Sequence, residues 1–174
     1  SDIMPLNESM PTNPMSPYGL SKLMGEEYCK LFHTQYGLET VNLRYFNVYG
    51  ERQNLDGGYC LVVGIFAKQM LKGEHMTIVG DGEQRRDFTY VGDVVNANVA
   101  AATSDKVGKG EVINVGNGDN RSVNQIANLF GGNRLRIQDR IEPKETLADI
   151  SKAKELLDWE PTQIIEEWMP KYKK

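Results

Sequence analysis

Long apolar runs are missing from this sequence: nothing in its 174 residues approaches the roughly 20-residue length of a membrane-spanning helix. No charged-then-apolar leader of the secretory kind is visible either, so a protein without a membrane partner is expected. Cysteine is scarce. Cys29 and Cys60 are not at metal-ligand spacing and read as reduced thiols of a cytoplasmic protein. Histidine is equally scarce. His33 and His75 have no cysteine or acidic partner at ligand spacing, so no metal site is expected. The absence of a G-x-S-x-G turn leaves no nucleophile triad. Excess positive charge is lacking too: 20 Lys and Arg against 24 Asp and Glu give a net charge of −4. That argues against a broad basic face and against nucleic acid as a partner, while single arginines remain free to bind phosphate. One further absence concerns glycine. No G-x-G-x-x-G turn follows a first strand. GDGEQ follows a strand without opening a clear helix, and GNGDN comes after Val115, too late to start a fold.

What is present is ordinary globular composition, 40% hydrophobic and 25% charged, in a length that suits one domain. Residues 1–17 hold four prolines and read as extended or turning. From Tyr18 the apolar residues Leu20, Leu23, Met24, Tyr28, Leu31 and Phe32 recur at helical spacing, up to a stop at Gly37. ETVNLRYFNVYG reads as a strand running into a glycine turn, and ERQNLDGG as a loop. Tyr59 to Leu71 suits a mostly buried helix closed by Lys72-Gly73. MTIVGDG and EVINVGN are short strands. Asp93 is expected to cap a helix from Val94 to about Thr103, and Ser122 one from Val123 to Phe130. RLRIQD is a last strand, followed by helices to Leu157 and from Ile164 to Tyr172, with KYKK as a frayed tail. Helix and strand alternate throughout, which argues for α/β layers.

Chemistry enters at SPYGLSK, residues 16–22. Tyr18 and Lys22 are i and i+4, so a helix places them on one face. A free tyrosine is too weak an acid to act as a base at neutral pH; a nearby ammonium favours the phenolate and can make it a usable acid/base. A surface lysine beside a helix-start tyrosine would give the same short pattern.

The wider context narrows this choice. NPMSPYGLSKLMGEEY resembles the active-site helix of the extended short-chain dehydrogenase/reductases. In the same order, LRYFNVYGERQ resembles the family's segment beside nicotinamide and substrate, GDGEQRRDFTYVGDVVNAN its phosphate-contacting segment, and TLADISKAKELLDWEP its C-terminal helix. The matches run from Asn13 to Pro161, and among the branches the UDP-glucose and UDP-N-acetylglucosamine 4-epimerases are the most similar. The resemblance implies the C-terminal part of that α/β fold. Residues 1–58 would be the end of the Rossmann part, and 59–174 mostly the nucleotide-sugar lobe. The glycine-rich NAD turn and the catalytic Ser or Thr would lie in an N-terminal half before Ser1.

The resemblance also implies roles. Tyr18 takes the proton of the sugar 4-hydroxyl while hydride passes from C4 to NAD, the cofactor of the full-length family enzymes. Lys22 supports the phenolate and holds the nicotinamide ribose. Tyr45, Phe46 and Val48 lie against the nicotinamide, and Asn47 donates to the UDP-sugar substrate without adding charge; a plain strand-end Asn turn is the alternative. Arg86 binds the diphosphate through planar donors, with a structural pair to Asp87 or Asp93 as the alternative. Leu61 and Val62 offer backbone groups to the uracil. Phe66 either stacks on the base or packs in the core. Arg140 serves the second phosphate side. The acid of the usual Arg-x-Gly-Asp/Glu holds the ribose in the family; here the motif is one residue shorter and lacks its glycine, so Glu142 reads as a solvated loop acid instead. Other functions consistent with these motifs are a sugar-nucleotide 4,6-dehydratase, a UDP-glucuronate decarboxylase, or a non-catalytic binding or oligomerisation module. The isolated chain is expected to be inactive, and the apolar face of its active-site helix to drive a homodimer or swapped oligomer.

Overall fold

The computed structural model describes residues 3–57, 60–140 and 142–172. The expected helix start at Tyr59 and the tail end at Lys173 and Lys174 lie outside the described residues. Helix α1 spans Pro17–Tyr36. It forms where the sequence signals it: Ser16 accepts the Gly19 N–H at 3.0 Å, Pro17 occupies a first-turn position that needs no N–H donor, and Gly37 closes it at φ 68°.

Strand β1 (Thr40–Tyr45) follows, and its chain bends at Phe46–Asn47 before β2 (Val48–Tyr49). The single long strand expected there is thus two short ones with different partners. α2 covers Val62–Leu71, β3 Met76–Val79, β4 Arg85–Asp87, β5 Thr89–Tyr90 and α3 Val91–Thr103. Then come β6 (Lys109–Val115), β7 (Asn120–Ser122), α4 (Val123–Phe130), β8 (Arg134–Ile137), α5 (Ser151–Leu157) and α6 (Ile165–Tyr172). β1 pairs with β6, β2 with β5 and β3 with β8, all parallel, while β4 pairs antiparallel with β7. Parallel pairing through helical crossovers is the α/β architecture expected from the alternation.

The β1–β6 pair is covered on both faces. Alternate residues point to opposite sides of a strand. Thr40 and Arg44 turn toward α1, where they bond to the Cys29 carbonyl and the Glu26 carboxylate. Val41 and Leu43 turn the other way and pack with Val94, Ala97, Ile113, Val115, Ala153, Leu157 and Trp159, a core shared by α3, β6 and α5. A second core joins Tyr49, Phe66, Met76, Ile78, Ile126, Phe130, Trp168 and Met169, from β2, α2, β3, α4 and α6. The chain crosses between the two cores more than once.

Two buried aspartates tie these parts together. Asp87 accepts the backbone N–H groups of Asn117 at 2.6 Å and of Gly118 and Ala148 at 3.1 Å. Asp93 does not cap α3, which starts at Val91 instead. Its carboxylate takes the Thr162 hydroxyl at 2.7 Å and the N–H groups of Thr162 and Gln163. Ser122 does cap α4, in a reciprocal capping box with Gln125. The outer face of α1 is uncovered: Leu20, Met24, Leu31 and Phe32 are each about half exposed, and none of the helix's residues is buried. Among the described residues, no helix is long and apolar enough to cross a membrane.

Candidate active site

A cavity of about 1130 Å³ opens between α1, β1 and the segment leading into α2. It runs along β1 from Val41 and past the strand's carboxyl end, the end at which parallel α/β sheets place their ligands. Tyr18 and Lys22 from α1, Tyr45 and Asn47 from the β1 end, Val48, Leu61, and Arg140 from the loop after β8 all line it. Residues spread over more than 120 positions of sequence therefore meet in one place.

Two turns of α1 present Tyr18 and Lys22 on the same side, and the Lys22 ammonium lies 5.1 Å from the centroid of the Tyr18 ring. Tyr45 donates its hydroxyl to Asn98 Oδ1 at 2.9 Å, which fixes its ring at the cavity wall. Asn47 donates its side-chain amide to the Asp87 carbonyl at 3.1 Å, so the Asp87 clamp also sets the position of this asparagine. Leu61 is the N-cap residue of α2 and makes no side-chain cap bond. Helix N-termini carry unsatisfied N–H donors, and Val62 begins that first turn.

Four sequence candidates stand away from the cavity lining; the first, Val62, follows Leu61 as the opening residue of α2. Phe46 donates its N–H to the Val115 carbonyl at 3.0 Å. Phe66 is fully buried and packs edge-on against Phe130 at 5.8 Å, as the core-packing alternative describes. Arg86 is paired with neither Asp87 nor Asp93. Its Nη1 donates to the Arg85 carbonyl at 2.8 Å and its Nη2 to Glu142 Oε2, also at 2.8 Å. Glu142, expected as a solvated acid, is 23% exposed in its side chain and is further approached by Arg140 Nε at 3.5 Å and Gln84 Nε2 at 3.4 Å. Ile141, between these two, is outside the described residues.

Sequence reasoning missed the ion pair under the Tyr18–Lys22 face. Arg44 grips Glu26 with two 2.7 Å bonds, Nε to Oε1 and Nη2 to Oε2. The bidentate pair raises the guanidinium's affinity for its proton still further. Both residues line the cavity. Glu26 is four residues beyond Lys22, so the helical spacing already placed it on this face. Its strand partner was invisible without the fold.

Comparison with known proteins supplies the context. A family model described as the NAD dependent epimerase/dehydratase family matches residues 1–116. The UDP-glucose 4-epimerase of Mycolicibacterium smegmatis is 34% identical over 96% of this chain and 55% of its own length. The UDP-N-acetylglucosamine 4-epimerase of Methanobrevibacter ruminantium, solved with UDP-N-acetylmuramic acid, superposes with a TM-score of 0.87 at 38% identity, over 95% of this chain and 55% of that one. The UDP-glucuronic acid 4-epimerase of Bacillus cereus, solved with UDP-glucuronic acid and NAD, gives a TM-score of 0.84 at 38% identity, over 95% and 54%. The chain spans about half the length of the curated relatives it matches.

Proposed function

This chain belongs to the NAD dependent epimerase/dehydratase family, and on that premise we propose that it carries the acid/base face and the sugar-nucleotide seat of an NAD-dependent UDP-sugar 4-epimerase. The observation that carries the reading is the convergence of Tyr18, Lys22, Asn47, Leu61 and Arg140 on one cavity.

The residues present fit the nicotinamide end of NAD. A hydroxyl and an ammonium stand side by side on α1, Tyr45 forms an adjacent wall, and the cavity is at or above the upper end of ordinary ligand sites, typically about 300–1,000 Å³. The turn that cradles a dinucleotide pyrophosphate does not occur in these 174 residues. When bound, NAD supplies the oxidation and re-reduction at sugar C4. Tyr18 takes the proton of the 4-hydroxyl and returns it from its phenol. Lys22 stabilises the phenolate and donates to the ribose. Asn47 orients the sugar-diphosphate link, Arg140 and Arg86 offset the diphosphate charge, and the open first turn of α2 at Leu61 and Val62 meets the uracil carbonyls. By themselves these 174 residues do not turn over UDP-glucose and UDP-galactose, because the pyrophosphate end of the cofactor has no seat among them. A decarboxylase or dehydratase would use the same tyrosine and lysine; the 4-epimerase names of the relatives favour epimerisation.

Calorimetric titration of the chain with UDP-N-acetylglucosamine, UDP and NAD tests the reading. Both uridine ligands should bind with NAD silent, and Asn47→Ala and Arg140→Gln should each weaken UDP-N-acetylglucosamine about fivefold or more, the scale of one lost charged or polar contact. Unaltered affinity in both variants would place the ligand elsewhere.

A further inference from the structure

The seat that the proposed function assigns to the diphosphate already contains an anion. Glu142 puts one carboxylate oxygen 2.8 Å from Arg86 Nη2, and the other 3.5 Å from Arg140 Nε and 3.4 Å from Gln84 Nε2. The two arginines come from distant segments, β4 and the loop after β8, and this single carboxylate is charge partner to both. Burial is unequal. The Arg86 side chain is 13% exposed and Glu142 23%, while Arg140 is 65% exposed and lines the cavity. Neither Arg86 nor Glu142 is part of the cavity wall, and Glu142 takes one of the five N–H donors of Arg86.

We propose that Glu142 is an internal competitor for the diphosphate: its carboxylate is charge partner to Arg86 and Arg140, and a nucleoside diphosphate competes with it for the two guanidiniums. The inference rests on the reading of this seat as the diphosphate site. A guanidinium has a limited number of in-plane donor edges, and a carboxylate and a phosphate compete for the same planar geometry. Arg86 also commits Nη1 to the Arg85 carbonyl, which fixes its orientation. Two consequences separate this role from simple scaffolding. Removing the Glu142 charge strengthens phosphate ligands, whereas removing a scaffold weakens them. The effect is also confined to ligands that carry phosphate.

The experiment is calorimetric titration of the chain and of Glu142→Gln with UDP and with uridine. Glu142→Gln should bind UDP about fivefold more tightly, the scale of one partly exposed ion pair, with uridine affinity unchanged. Glu142→Asp, which keeps the charge on a shorter side chain, should fall between the two. Thermal melts of both variants check that the fold is intact. UDP affinity equal or weaker in a folded Glu142→Gln would overturn the inference while leaving the diphosphate seat standing. Equal tightening of uridine would overturn it as well. UDP binding by neither protein would overturn both the inference and the seat.

Discussion

Replacing Asp87 with alanine should cost this fold about 4 kcal/mol. The side chain is fully buried, and its carboxylate is the acceptor for three backbone N–H groups, from Asn117, Gly118 and Ala148. Each buried donor left without a partner costs roughly 1–3 kcal/mol. Three of them would sum to roughly 3–9 kcal/mol, and entry of water into the space left behind moves the result toward the lower part of that span. A domain of this size is stable by about 5–15 kcal/mol, so the variant should be marginal. Packing beside the carboxylate is close: a Cβ on Gly116 would lie 2.3 Å from Ala148 Cβ and 2.8 Å from Asp87 Oδ2. Burial itself pushes the Asp87 carboxyl above its ordinary range, against the pull of the three N–H groups. Asparagine, which is uncharged but presents only one acceptor oxygen, should therefore recover part of the loss and not all of it. Urea unfolding followed by tryptophan fluorescence measures both variants. A loss below about 1 kcal/mol for Asp87→Ala would refute the account of Asp87 as the clamp between β4, the turn after β6 and the segment entering α5.

Acid should unfold the protein partly through Glu51. The Trp168 indole N–H donates to Glu51 Oε1 at 2.8 Å and the Tyr90 hydroxyl to Oε2 at 2.9 Å, and the Trp168 bond in particular holds this carboxyl below its usual range. Its folded pKa is below the unfolded value of about 4.3, so its stabilisation is complete above that pH and is lost as pH falls through the folded value. The melting temperature should therefore drop below about pH 4.3, and Glu51→Gln should flatten that slope; an unchanged slope would remove Glu51 from the account. The half-exposed Leu20, Met24, Leu31 and Phe32 of α1 should hold two copies together. Light scattering should give a dimer mass that Leu31→Glu reduces to that of a monomer, and a monomeric parent chain would contradict this.

Local chemistry made much of this fold legible. The Gly37 stop of α1 and the Ser122 cap of α4 were read directly, because caps act over three or four residues; the Ser16 cap, which starts α1 one residue before the expected Tyr18, and the Gln125 half of the capping box came from the structure. Strands β4 and β5 were not legible, since three and two residues carry too little alternation to register. Asp93 misled for a related reason. It has the composition of a cap, but acceptors are claimed by whichever donors the fold brings near, and here those belong to Thr162 and Gln163. The candidate site shows the same division. Tyr18 and Lys22 share a helix, so their spacing fixes their face. The partners that hold the site in place, Arg44 for Glu26 and Glu142 for Arg86, lie on other elements and are matched by tertiary structure alone. Phe66 shows the ambiguity of an apolar residue near a site, which only its complete burial against Phe130 resolves.

The central claim is that this cavity seats a UDP-sugar with its 4-hydroxyl at Tyr18. A crystal structure of the chain soaked with UDP-glucose tests it most directly. The account predicts the sugar 4-hydroxyl within hydrogen-bond distance of Tyr18 Oη, the diphosphate on Arg140 or Arg86, and the uracil at the start of α2. A UDP-glucose molecule bound with its sugar away from Tyr18, or its diphosphate on neither arginine, would contradict it.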